Sequence, residues 1–301
     1  MATYGFRERA RQGPPLLLDS AMGTELERRG ARAELPLWSA RALIENPELV
    51  LAIHRDEVAA GADILTANTF RTHRRTLARE NLGDRSAELT RTAVLLAREA
   101  ARSASRPVWV AGSLSPLEDC YRPDLRPPGE ALEREHAVQA EALASSGVDL
   151  ILIETQNSVR ELATAARWAR DTGLPVVASM ITDGKGRLLS GQPIEVAVAA
   201  VESLRLDALS INCVATRDLA GDLARLARAA PGVPLAAYGN LGPPSGEGGT
   251  VFTKFVEPEE YASLAEEWIA LGARMVGGCC GTTSAHTAAL RRRIDSGGPT
   301  S

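Results

Sequence analysis

Short β-rich apolar runs recur along the chain, and each is followed by a longer stretch whose apolar positions return at helical spacing. The runs fall at 16–19, 64–69, 108–112, 150–154, 176–180, 208–212, 235–238 and 275–278. Strands that alternate with helices predict a parallel sheet with right-handed crossovers. Eight such units in 301 residues predict a closed (β/α)8 TIM barrel of the α/β class rather than an open sheet. The expectation is one domain over 1–301, with a core at about 15–295 and short flexible termini.

A weak internal echo supports the count. Gly61-Ala62-Asp63, Gly147-Val148-Asp149, Leu206-Asp207 and Gly272-Ala273-Arg274 each stand just before a strand. Glycine there ends the preceding helix and the polar residue turns the chain into the sheet, so these positions read as stability devices at the barrel bottom. Helix starts are marked by Asn46-Pro47-Glu48 and by Thr283-Ser284. Two connections, 113–129 with Cys120 and Tyr121, and 240–258 with Phe252 and Phe255, are too long for simple turns. Both follow strands, which places them over the C-terminal mouth as possible lids.

Composition narrows the partners. The chain is 45% hydrophobic but only 4% aromatic, so its core is built from Val, Leu, Ile and Ala. With 34 basic and 38 acidic residues the net charge is −4, which makes no electrostatic case for nucleic acid or an anionic membrane. The arginine-rich N-terminus lacks the apolar region of a signal peptide, and no run approaches the ~20 apolar residues of a membrane span. Four cysteines do not make a secreted disulfide framework. The expectation is a cytoplasmic protein, monomer or homodimer, acting on small molecules.

Chemistry concentrates in three thiols. Cys279 and Cys280 stand between Gly277-Gly278 and Gly281-Thr282-Thr283. Adjacent cysteines close a disulfide only under strain, while flanking glycines let both side chains turn toward one point. In the barrel layout Cys213 ends the sixth strand and the pair ends the eighth, all at the mouth. Three thiolates suit Zn²⁺ with a fourth position left for substrate; the alternative is three thiols packed as small hydrophobes.

Other polar residues reach the same face: Asp19, Asn68, Thr69, Glu154, Asn212 and Asn240. Asp19 and Glu154 either cap the helices that follow or accept hydrogen bonds from a substrate ammonium. The four histidines, at 54, 73, 136 and 286, fall on helical segments and suit structural roles. There is no HExxH and no deaminase-type zinc motif, Cys120 is read as an accessory thiol, and Gly184-Lys185-Gly186 resembles a turn.

Several segments together resemble the homocysteine S-methyltransferase family: Asp19-Ser20-Ala21-Met22-Gly23-Thr24-Glu25-Leu26, Pro36-Leu37-Trp38-Ser39, Thr66-Ala67-Asn68-Thr69-Phe70, Glu154-Thr155, Ile211-Asn212-Cys213 and Gly277-Gly278-Cys279-Cys280-Gly281-Thr282-Thr283. The likeness runs from about Leu16 to the final helix. It implies that Cys213, Cys279 and Cys280 bind zinc and that Asp19 and Glu154 hold the homocysteine amino group, with the Ser20 backbone nearby. It further implies a pocket walled by Trp38, Ser39 and Phe70, with Asn68, Thr69 and Asn240 among the substrate-binding residues. Two positions depart from the family pattern. Ser20 stands where glycine is usual, narrowing the approach of the substrate carboxylate, and Tyr238-Gly239-Asn240 replaces the Tyr-Pro-Asn of S-methylmethionine-dependent members.

The activity so implied is methyl transfer to the homocysteine thiol, giving methionine, from S-methylmethionine, S-adenosylmethionine or betaine. Selenohomocysteine or selenocysteine is an alternative acceptor. A barrel hydrolase using Asp19 and Glu154 as acid and base is a further alternative that leaves the cysteine pair unexplained.

Overall fold

The computed structural model describes residues 3–242 and 256–297. Most of the long connection 240–258, including Phe252 and Phe255, therefore lies outside the described residues. Eight strands run among the described residues: β1 (Leu16–Leu17), β2 (Ile64–Ala67), β3 (Trp109–Leu114), β4 (Leu150–Gln156), β5 (Val176–Met180), β6 (Ala208–Ala215), β7 (Leu235–Asn240) and β8 (Ala273–Gly278). All pairings are parallel, in the order β1-β8-β7-β6-β5-β4-β3-β2. A parallel bridge between Leu18 and Ile64 joins the two ends, with Asp19 N–H donating to the Ile64 carbonyl at 3.1 Å. The result is the (β/α)8 barrel expected from the alternation of strands and helices.

Side chains from alternate strand positions fill the interior, among them Leu16, Leu18, Ile64, Leu152, Val177 and Met275. The opposite faces of the strands pack against the surrounding helices, where small residues such as Ala93, Ala97, Ala165 and Ala169 let helix and sheet approach closely. Below the barrel, the helix Thr3–Arg9 closes the floor. Its Phe6 is fully buried and meets Trp109 edge-to-face at 6.0 Å between ring centres. The floor thus begins before residue 15, where the sequence shows only an arginine-rich lead-in.

The echo before the strands has a definite physical basis. Asp63, Asp149 and Asp207 each accept the backbone N–H of a residue in the preceding strand: Leu17 at 2.9 Å, Val110 at 2.7 Å and Val176 at 2.9 Å. Each is also paired with arginine, Asp63 with Arg291, Asp149 with Arg98 and Asp207 with Arg7. One carboxylate thus serves each of β1, β3 and β5 at the bottom of the barrel. Gly61 and Gly147 end the preceding helical segments in the left-handed region, and where glycine is missing Arg205 takes that conformation with φ 48°. No helix among the described residues is long and apolar enough to cross a membrane.

Candidate metal centre and substrate cavity

Two irregularities at the barrel mouth aim the site residues. The pairing of β4 with β5 slips between Ile153 and Gln156, and that of β6 with β7 slips between Asn212 and Ala215. Such bulges break the in–out alternation and re-aim side chains. Inside them Thr155 and Cys213 adopt φ 57° and 55°, a left-handed conformation that costs a non-glycine residue about 1–3 kcal/mol. The surroundings impose it. Asn212 Oδ1 accepts the Thr155 N–H at 3.0 Å and the Ser179 hydroxyl at 2.7 Å, while its Nδ2 donates to Thr155 Oγ1 at 3.0 Å. Thr155 Oγ1 in turn stands 3.9 Å from Cys213 Sγ.

At the end of β8 the glycines are required by contact. A Cβ at Gly277 would fall 2.5 Å from Leu18 Cβ, and one at Gly278 would fall 2.2 Å from Thr282 Oγ1. The turn that follows is tied by Cys279 N–H to the Gly239 carbonyl at 2.9 Å and by Thr282 Oγ1 to the Cys279 carbonyl at 2.6 Å. The Sγ atoms of Cys213, Cys279 and Cys280 lie within 4.8 Å of one another, with Cys213 and Cys279 2.7 Å apart. Sulfurs held tetrahedrally at about 2.3 Å from one ion stand roughly 3.8 Å apart, so the three thiols are near enough to share one ion once Cys213 and Cys279 part by about 1 Å.

The contacts among the three sulfurs also set their acidities apart. Hydrogen bonding with Cys279 and Cys280 pushes the Cys213 thiol well up, while the hydrogen bonds Cys280 receives from Cys213 and Cys279 hold its thiol well down. Three thiols in contact, one buried and two half-buried, can share one negative charge but not carry three. A divalent cation could supply the missing charge, and sulfur donors of this kind suit zinc.

Asp19 and Glu154 face the same cavity. Asp19 is 5% exposed and accepts Thr66 N–H at 2.7 Å and Thr66 Oγ1 at 2.8 Å. Burial, followed by the nearby Glu57 carboxylate, raises its pKa well above the ordinary value. Its own carbonyl accepts the Gly278 N–H at 3.3 Å, which couples the end of β1 to the cysteine turn. Glu154 accepts a hydrogen bond from Ser113 Oγ, and burial pushes its carboxyl up to about 7. The buried Tyr238 hydroxyl stands beside it, and its interaction with the carboxylate partly offsets that rise. Two carboxylates that resist ionisation when bare are stabilised as anions once an ammonium group sits between them.

The structure sorts the remaining expected residues. Trp38, Ser39, Asn68 and Phe70 line the cavity. Trp38 meets Phe70 edge-to-face at 5.8 Å, and its ring fills the space above Gly23, where a Cβ would be 2.2 Å from Trp38 Cζ2. Asn68 Nδ2 donates to the Ser39 carbonyl at 2.8 Å, fixing one wall. Ser20 also lines the cavity, but its N–H and hydroxyl both turn to Glu57, at 3.2 and 2.5 Å, rather than toward a ligand. Thr69 and Asn240 do not line it. Thr69 Oγ1 donates to the Ser113 carbonyl at 2.9 Å, and Asn240 Nδ2 donates to the Cys213 carbonyl at 2.9 Å. Their short polar side chains satisfy backbone at the strand ends, which a position after a strand does not reveal.

Glu57, Arg71, Asp119 and Tyr121 are the residues that reading the sequence misses. Glu57 had a signal, since it continues the buried stripe Val50, Ile53, His54 of the helix Pro47–Ala60, where a carboxylate needs partners; Thr287 Oγ1 supplies another at 2.7 Å. Arg71 is hidden in a segment that also holds Arg74, Arg75 and Arg79. Asp119, Cys120 and Tyr121 bring the loop 113–129 over the mouth, and the buried Tyr121 hydroxyl sits against the clustered cysteines, where it helps to hold the Cys280 thiol down. The histidines are structural or isolated: His73 and His286 cap helices, His136 Nε2 meets Glu161 at 3.2 Å, and His54 is buried without a partner.

Comparison with known proteins carries the same geometry to a family. The model of the family described as Homocysteine S-methyltransferase matches residues 16–294. Homocysteine S-methyltransferase of Escherichia coli (strain K12) is 35% identical, over 92% of this chain and 94% of its own. Selenocysteine Se-methyltransferase of Brassica oleracea var. italica is 28% identical, over 97% of this chain and 92% of its own. Crystal structures of the homocysteine methyltransferase MmuM from Escherichia coli superpose with TM-scores of 0.82 for the oxidized and 0.81 for the metallated form, each at 32% identity and covering 94% of this chain and 97% of that one. Matched in this way from β1 to the last helix, the chain belongs to the homocysteine S-methyltransferase family.

Proposed function

We propose that this homocysteine S-methyltransferase works with zinc held by Cys213, Cys279 and Cys280, and that it takes the methyl group from a cationic donor. The observation that carries the reading is the cluster of three Sγ atoms within 4.8 Å, opening on the same cavity as Asp19 and Glu154. Zinc bound there would keep the homocysteine sulfur deprotonated at neutral pH, where a free thiol of pKa about 8.5 is mostly protonated. Asp19 and Glu154 accept the substrate ammonium and so aim its side chain along the cavity toward the thiols, an orientation effect. The sulfur lone pair forms the new S–CH3 bond as the donor's bond to that methyl breaks, and the donor's onium atom keeps that bond's electron pair and leaves as a neutral sulfide or amine centre. Trp38 and Phe70 present aromatic surface of the kind that accommodates onium groups, and the anionic surroundings favour a sulfonium or quaternary ammonium donor such as S-methylmethionine, S-adenosylmethionine or betaine. The cytoplasm suits such a centre, because a reducing compartment keeps its cysteines as thiols.

The relative named as a selenocysteine Se-methyltransferase favours a second acceptor, the selenium analogue, in the same cavity. The test is a rate measurement with homocysteine and selenocysteine against a panel of donors, before and after removal of metal by a chelator and after re-addition of zinc. Loss on chelation and recovery with zinc are expected, together with loss of both metal and activity in Cys213→Ala. Full activity in metal-free protein would refute the reading.

A further inference from the structure

Three buried side chains from adjacent strands meet beside the cysteine cluster: Thr155 of β4, Ser179 of β5 and Asn212 of β6. Their contacts allow one arrangement of protons. A backbone N–H only donates, so the Asn212 atom that meets the Thr155 N–H at 3.0 Å is the amide oxygen Oδ1. The Ser179 hydroxyl donates to the same oxygen at 2.7 Å. The other end of the amide is then Nδ2, which only donates, and it does so to Thr155 Oγ1 at 3.0 Å. With its oxygen used as an acceptor, the Thr155 hydroxyl still has its own proton to give. Cys213 Sγ, 3.9 Å away, is the acceptor it meets.

Both ends of that contact are fixed from elsewhere. Thr155 and Cys213 each stand in a slipped register and in the left-handed region, at φ 57° and 55°. Asn212 spans the two bulges, since its side chain binds Thr155 and its backbone continues into Cys213. Cys279 and Cys280 share one turn after β8, whereas Cys213 comes from a strand 66 positions before Cys279, so its sulfur has to be oriented by separate means. The Asn240 amide grips the Cys213 carbonyl and leaves the side-chain torsion free. A hydroxyl that donates to the sulfur removes that freedom, and donation to a thiolate is charge-assisted. Groups that never touch an ion orient its ligands in this way.

We propose that Thr155 is a positioning residue for the metal centre: its hydroxyl donates to Cys213 Sγ and holds that sulfur in the ligating direction, while Asn212 and Ser179 orient the hydroxyl. The inference rests on the proposed reading of the three thiols as a zinc site. It gives the strained backbone of Thr155 a purpose, since only a chain bent at that point brings a β4 hydroxyl to a β6 sulfur.

The experiment compares the unaltered protein with Thr155→Val, which keeps the shape and removes the hydroxyl, and Thr155→Ser, which keeps the hydroxyl. Zinc affinity, measured by competition against a chromophoric chelator, should fall about 10- to 100-fold in Thr155→Val and stay within about threefold in Thr155→Ser. The cobalt(II)-loaded proteins give a second readout. A hydrogen bond to sulfur lowers the energy of its lone pairs, so the sulfur-to-cobalt charge-transfer band should move to longer wavelength in Thr155→Val and return in Thr155→Ser. Zinc affinity in Thr155→Val within about threefold of the unaltered protein would overturn the assignment. A weakened affinity with an unmoved cobalt band, the mark of a general packing defect, would overturn it as well. Should the valine variant fail to fold, Thr155→Ala decides by the same two measurements. Failure of the unaltered protein to bind zinc counts against the zinc reading and the inference built on it, whereas tight zinc that is indifferent to Thr155→Val counts against the role of Thr155 alone.

Discussion

Asn240 holds Cys213 by its backbone: the amide Nδ2 donates to the Cys213 carbonyl at 2.9 Å, across the join between β7 and β6. Cys213 is in the left-handed region, so this bond helps keep its thiol turned toward Cys279 and Cys280. Asn240 thus positions a candidate metal ligand from outside the cavity.

Asn240→Ala should therefore weaken zinc binding about 10- to 100-fold, the usual effect of removing a group that orients a ligand. Competition against a chromophoric chelator measures it. With saturating zinc, much of the activity should return, which a direct substrate-binding role for Asn240 would not allow.

Glu154 provides a pH test with a definite sign. Its carboxyl is raised from 4.5 to about 7 by burial, so between those values the folded protein keeps a proton that the unfolded chain has released. Stability against urea should fall as pH rises through that window, and Glu154→Gln should remove this part of the dependence. The ammonium of homocysteine needs the ionised form, so the KM for homocysteine should rise more steeply as pH falls below about 7 in the unaltered enzyme than in Glu154→Gln, where Asp19 remains the one titrating partner. A KM with the same pH profile in Glu154→Gln would sink its assignment.

Gly23 has no room for a methyl group. Gly23→Ala would place Cβ 2.2 Å from Trp38 Cζ2, so the indole must move and the Trp38–Phe70 contact must open. A loss of about 1–3 kcal/mol is expected in denaturant titration, with a raised KM for substrate. The control is Gly221→Ala in the helix Thr216–Ala229, where nothing lies within 4 Å of the added Cβ. That change should stabilise the protein by up to about 1 kcal/mol with kinetics unaltered.

The barrel floor should separate stability from catalysis. Asp149→Ala removes the acceptor of the Val110 N–H and the partner of Arg98, leaving buried backbone unsatisfied. We expect about 1–3 kcal/mol of destabilisation, read by urea titration, and an unchanged KM for homocysteine. A catalytic defect without loss of stability would contradict the division between floor and mouth.

Much of the fold was legible in the one-dimensional pattern, because each β-strand and helix carries its own local periodicity. The run at 150–154 anticipates β4, that at 208–212 anticipates β6, and Gly61 and Gly147 mark turns where their positive φ is required. The cysteine pair was legible for the same reason: adjacency and flanking glycine are properties of consecutive residues. The helix Thr3–Arg9 was not, since a seven-residue segment anchored by the buried Phe6 declares itself only against Trp109.

The chain pattern by itself determined the barrel, the ends at which Cys213, Cys279 and Cys280 emerge, and the strand-end carboxylates Asp19 and Glu154. Only the tertiary structure decided where those side chains point. The bulges at Thr155 and Cys213, the inward carboxylate of Glu57, the outward roles of Thr69 and Asn240, and the buried guanidinium of Arg71 all depend on partners 25 or more positions distant, as with Asn240 and Cys213 at a separation of 27. Local preference sets the backbone of an element, but a bent register or a buried charge persists only because residues far along the chain satisfy it.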